Sequence, residues 1–205
     1  MKYIRYDLKE RIILICDIGC SKQVFTELEC AVNAIVDYDL NNKNPIKLFM
    51  FFKPNRPENT TDNINYIWDI TNYIENSPIP IYTYAGGFVG EASFIIFLAG
   101  HKRYVLNDDN YVTYISFYFP CIPKNILPNL ITEKVLQSKL KQLKEQNDKI
   151  YEYLITHTKL GEDRIKDLRD NAKLLQIEGK EIFDCCCADD THNIYNLKLI
   201  KQEMI

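Results

Sequence analysis

The chain has 205 residues, a formal net charge of -3, and 46% hydrophobic against 26% charged residues. That is enough material for one ordinary globular core and too little positive charge for a dedicated nucleic-acid binder. Seven cysteines, an odd number, and a start without an apolar leader (MKYIRYDLKERI) imply free thiols in a reducing compartment, cytoplasmic or an organellar matrix or stroma.

In chain order, residues 6–18 (YDLKERIILICDI) read as a polar lead into a first buried strand. Ser21 is placed to cap a helix running through Val36, with Phe25, Leu28, Val32 and Ile35 on one face. After an Asn/Asp/Lys-rich turn, residues 46–52 (IKLFMFF) read as a second buried strand. Residues 53–62 (KPNRPENTTD) are turn chemistry, and residues 63–74 restart a helix carrying Ile64, Ile67, Trp68 and Tyr73.

The centre of the chain is the stretch 79–117. It predicts a short strand over 79–84, a glycine turn at Gly86, Gly87 and Gly90, an apolar helix over 92–99 stopped by Gly100, and a β-rich run over 111–117. A strand that turns through glycines into a helix presents backbone N–H groups and a side chain at the helix start. Serine hydrolases use that geometry for an exposed hydroxyl beside an oxyanion site. Ser93 is the only serine there.

Three prolines (Pro120, Pro123, Pro128) then stiffen a connection to the longest helical segment, 132–157. Its apolar positions Val135, Leu136, Leu140, Leu143, Ile150, Tyr153 and Leu154 make a narrow, interrupted stripe among lysines and glutamates. Such a stripe suits either a helix projecting toward a partner helix or an ordinary packing helix. Residues 162–176 predict a further helix and residues 182–187 a last short strand. Adjacent cysteines Cys185, Cys186 and Cys187 lack the paired spacing of a zinc site, so no metal and no cofactor is expected. Strands alternating with helices give an α/β class with a mainly parallel sheet in a single domain spanning 1–205.

This order, carried by YDLKERIILI, IWDITNYI, IYTYAGGF, LAGHKRYVL and KLKEQNDKIYEYLITHT followed by LGEDRIKDL, resembles the Clp protease proteolytic subunit over nearly the whole chain. The resemblance implies a ClpP/crotonase-like spiral of βαβ units. Its head would take in about residues 1–128 and 160–190, with a projecting long handle helix at about 132–157. It also implies an oligomeric ring, homo- or hetero-oligomeric, fed with unfolded polypeptide by an AAA+ unfoldase, with no nucleic acid and no membrane as partner.

The family's serine, histidine and aspartate are each displaced in this chain. Matching Gly87 and Gly100 to the family's glycines without a gap puts Glu91 at the nucleophile. Using Ser93 instead shortens the helix by two residues and turns its face by about 200°. The family's histidine falls at Tyr114 or Ser116, and its aspartate near Asp167, Leu168 and Asp170. The oxyanion region falls on Glu58 and Asn59, in place of two glycines, and on Ala92. The expectation is therefore a catalytically impaired ring-assembly or regulatory subunit. The alternative is an active ATP-dependent serine endopeptidase subunit that uses Ser93, with His101 or a group from another subunit as base. A crotonase-like acyl-transfer enzyme is a third, weaker reading.

Overall fold

The computed structural model describes residues 4–15, 21–52, 64–106, 113–121, 133–185 and 187–192. The first predicted strand is in fact a hairpin: β1 (Ile4–Asp7) and β2 (Ile12–Ile15) pair antiparallel. The Asp7 carboxylate accepts from the Glu10 N–H at 2.9 Å and Arg11 takes φ +54°, so the polar residues form a reversal rather than a lead-in. From β2 the chain enters α1 (Lys22–Tyr38), where the Ser21 hydroxyl accepts from the Val24 N–H at 3.3 Å. Then come β3 (Ile46–Phe52), α2 (Ile64–Glu75), β4 (Ile81–Gly90), α3 (Glu91–Leu98) and β5 (Lys102–Leu106). After these lie β6 (Tyr114–Phe117), α4 (Glu133–His157), α5 (Glu162–Asp170), β7 (Leu175–Glu178), α6 (Lys180–Asp184) and β8 (Asp190–His192).

The main sheet runs β1-β2-β3-β4-β5-β8, parallel except for the β1 hairpin. On one face Ile13, Ile15, Leu48, Met50, Ile81 and Ala85 join the core formed with Val24, Leu28, Ile35, Ile70 and Ile74 of α1 and α2. On the other, Ile12, Leu14, Phe49, Tyr84 and Leu106 form a second buried cluster. In it the Phe49 and Tyr84 rings stack at 4.4 Å and the Tyr84 and Tyr104 rings at 4.8 Å. Two-sided burial is why these strands read as near-continuous apolar runs.

β4 does not end where the glycines begin. It pairs with β5 through Ala85, then with β6 from Phe88 to Gly90, so one long strand serves two sheets. Gly87, at φ +68°, sits between the two pairings, and only a residue without Cβ adopts that conformation readily. The glycines are a bend within a strand, not the turn expected from sequence. β5 and β8 went unpredicted. Residues 171–176 leave the helix for β7, and residues 180–184 are helical rather than extended.

α3 is buried along its length from Ala92 to Ala99. Its end is fixed by Thr83, whose hydroxyl donates to the Phe97 carbonyl at 2.7 Å. A Cβ at Gly100 would overlap that hydroxyl and lie 2.9 Å from the Lys102 carbonyl oxygen. α4 divides in two. Ile150 and Leu154 are buried in the core, whereas Val135 and Leu140, toward the other end, are exposed. Between them the Asn147 amide donates to the Pro120 carbonyl at 3.1 Å.

Candidate active site

The second sheet brings three strands side by side: the end of β4, β6 and β7. Phe88, Tyr114 and Glu178 lie in register, as do Gly90, Ser116 and Gln176. Because side chains alternate along a strand, these six positions share one face. Val89, Ile115, Phe117, Leu175 and Ile177 take the other face and are buried. The first face is open: Phe88, Gln176 and Glu178 are exposed, and Tyr114 and Ser116 are half-buried. The Phe88 and Tyr114 rings stack along it at 5.9 Å.

α3 begins directly after Gly90, so its first residues rise from the end of this face. Glu91 opens the helix and Ala92 follows, almost fully buried. Ser93 comes next. Its side chain is 0% exposed, and its Oγ has no hydrogen-bond partner among the described residues. A serine hydroxyl acts as a nucleophile only with a base in hydrogen-bond reach and access to the substrate.

Neither position expected for the triad base is a histidine. Tyr114 and Ser116 stand on the open face beside the strand that leads into α3. His101 lies past the other end of that helix. Its Nδ1 accepts from the Ile81 N–H at 3.3 Å, at the start of β4. Five helical steps from residue 93 to the last helical residue, Leu98, already put about 7.5 Å between them along the axis at 1.5 Å per residue.

The acid region is committed elsewhere. The Asp167 carboxylate accepts from the Lys173 ammonium and from the Asn171 amide, each at 2.7 Å. These two contacts, the lysine's first, hold its carboxyl below the usual carboxylate range. Asp170 accepts from the Arg169 guanidinium at 2.9 Å, and Leu168 is buried. None of these bonds reaches Tyr114 or Ser116. Glu58 and Asn59 lie outside the described residues. Cys185 and Cys187 are buried, and the Cys187 thiol donates to the Cys185 carbonyl at 3.7 Å.

Gln176 and Glu178 were missed by the sequence reading, which ran the preceding helix through residue 176. The strict alternation of Leu175, Gln176, Ile177 and Glu178 was the available signal.

No protein-family model and no curated protein matches the chain. Solved structures do. A point mutant of ClpP1 from Listeria monocytogenes aligns with a TM-score of 0.65 and 14% identity, over 91% of this chain and 93% of its own. A peptidase from Plasmodium falciparum gives 0.65 and 16%, over 90% and 96%.

The fold is ClpP-like. The expected α/β class and the expected resemblance hold at the level of the backbone, across nearly the full length of both chains. In this ClpP-like frame the open face of β4, β6 and β7 carries an aromatic pair, a hydroxyl, an amide and a carboxylate, with no imidazole among its described side chains.

Proposed function

We propose that this chain is a ClpP-like subunit with impaired peptidase chemistry that acts by assembly. It forms a ring of its own or joins active relatives in one, and it engages an AAA+ unfoldase through that ring. The observation that carries this reading is the Ser93 hydroxyl, buried without a hydrogen-bond partner. Tyr114 and Ser116 in place of a histidine support it, as do the carboxylates of Asp167 and Asp170, spent on neighbouring cations. The exposed Val135 and Leu140 on a long helix supply apolar surface for subunit contact. A heterologous contact that closes on itself produces a ring.

The test is direct. A fluorophosphonate probe is expected to leave Ser93 unlabelled, and casein and short fluorogenic peptides to stay intact. Light scattering at micromolar concentration is expected to return a multiple of the 24.1 kDa chain mass, alone or with a ClpP-type partner. Probe labelling at Ser93, with cleavage abolished by Ser93→Ala, would establish the active-endopeptidase reading instead. A monomer under both conditions removes the assembly part.

A further inference from the structure

We propose that the cavity where β5 meets the end of α4 binds a small organic carboxylate. It holds about 290 Å³ between Leu98 and Gly100 after α3, Arg103 on β5, and residues 156–159 at the end of α4. It is separate from the open face of β4, β6 and β7.

Two cations line this cavity, and both are anchored. The Arg103 backbone N–H donates to the Asp189 carboxylate at 2.7 Å, and its Nη1 donates to the His157 carbonyl at 3.0 Å. Its Nε reaches the same Asp189 oxygen only at 3.5 Å, and its Nη2 has no partner among the described residues. The side chain is 17% exposed, so the guanidinium is a positioned fork with donors to spare. Lys159 is rooted through its backbone N–H, which donates to the Cys185 carbonyl at 2.8 Å. Its ammonium meets no carboxylate among the described residues.

The charges at this joint do not cancel. Asp189 answers one of the two cations. Glu75 is engaged elsewhere, accepting from the Tyr153 hydroxyl at 2.6 Å and lying 3.2 Å from His157 Nε2. One positive charge is left over, which a single carboxylate balances and a phosphate dianion exceeds. A carboxylate also matches the planar fork of an arginine, with the lysine as a second point charge.

The rest of the lining suits the organic part. Leu98 supplies an apolar wall, and Gly100 beside it has no side chain to fill the space. Thr158 can add a donor at small cost. Its hydroxyl donates to the Leu154 carbonyl at 2.6 Å, and if it turns to the ligand that carbonyl keeps the Thr158 N–H at 3.0 Å.

Titration of the full-length protein with butyrate at constant ionic strength, followed by amide and arginine side-chain chemical shifts, is the test. Saturable shifts are expected at Gly100, Arg103 and residues 156–159. Butyramide, of the same shape without the charge, is expected to cause none, and inorganic phosphate to bind more weakly than butyrate. Lys159→Met is expected to raise the dissociation constant for butyrate about tenfold, the loss of one charge-assisted contact. Lys141→Met, about 24 Å earlier along the same helix at 1.5 Å per residue, is expected to leave it unchanged. The unpaired Lys159 ammonium supports no other described contact, so the urea midpoint of Lys159→Met is expected to match wild type. The carboxylate site is overturned by the absence of saturable shifts, by equal shifts with butyramide, by tighter binding of phosphate, or by equal weakening in the two lysine variants. Each of those results leaves the assembly proposal untouched, because the readout is ligand binding and not mass.

Discussion

Gly90 of β4 and Ser116 of β6 are register partners across a parallel pair, with α3 beginning at the next residue after Gly90. The strand segment expected to carry a histidine is thus paired with the residue that precedes the helix expected to carry the nucleophile. Restoring one group tests this reading. Ser116→His, made alone, is expected to leave peptidase activity at background, because Ser93 still has no exposure to the open face. Turnover of a fluorogenic peptide by that single variant is the measurement, and activity in it overturns the reading.

Ser93 carries a stability prediction as well. A buried hydroxyl without a partner forfeits its hydrogen bonds to water, a penalty of about 1–3 kcal/mol. Ser93→Ala keeps the methylene-sized volume and removes the orphaned oxygen. It is expected to be neutral or to stabilise by up to about 1 kcal/mol, read from urea denaturation. A loss of more than about 1 kcal/mol would mean the hydroxyl is bonded in solution.

The end of α3 is a tight joint. Gly100→Ala forces a Cβ into the Thr83 hydroxyl and toward the Lys102 carbonyl, and neither the strand nor the backbone can easily move. Overpacking of this kind costs about 1–3 kcal/mol. Thr83→Val removes one of the Phe97 carbonyl's donors and leaves the Gly100 N–H at 3.3 Å, a loss of about 1 kcal/mol. In the double variant the two effects are expected to be non-additive, since the hydroxyl that the new Cβ meets first is the group that Thr83→Val removes. Thermal unfolding of the two singles and the double closes the cycle.

What the sequence made legible, and what it did not, follows from the same strand. Apolar runs such as 46–52 survive translation into structure because both faces of β3 are buried. α1 and α2 were legible from spacing and, for α1, from its Ser21 cap. β4 was cut short because glycine weakens a strand on propensity, whereas here Gly86 and Gly87 serve the bend between two sheets. β5 was hidden by a mixed pattern, with Lys102 exposed and Arg103 and Tyr104 half-buried at the open end. The helix at 180–184 follows Gly179, a signal lost beside three cysteines that favour no single state. At the site, residue identity could be counted off, but the burial of Ser93 depends on packing by α2, β4 and β6 and had no local signature.

Asp167 gives a prediction at the acid end. Its carboxyl is held below the usual range by Lys173 first and Asn171 second, so the folded value lies below the unfolded one, which is near 4. The contribution is therefore present above that value and lost as pH falls toward the folded one. Lys173→Met is expected to raise the Asp167 titration toward the unfolded value, followed by carboxyl carbon shifts. Asn171→Ala is expected to raise it less. A Lys173→Met variant that titrates like wild type would place Asp167 in some other contact.

The assembly proposed above would use the outer half of α4, and its test separates interface from fold. Val135 and Leu140 are 45% and 48% exposed, so Val135→Glu and Leu140→Glu remove little buried surface within one chain. Each is expected to change unfolding free energy by no more than about 0.5 kcal/mol. In a subunit contact the same carboxylates become desolvated charges facing apolar side chains, which costs several times more. The double variant is therefore expected to run at lower mass by light scattering while its urea midpoint stays within error of wild type. Ile150, on the same helix but 4% exposed, provides the contrast. Ile150→Ala removes core contacts and is expected to cost about 2–5 kcal/mol while leaving the outer stripe untouched. If Val135→Glu and Leu140→Glu together leave the mass unchanged, the outer stripe of α4 is not where subunits meet.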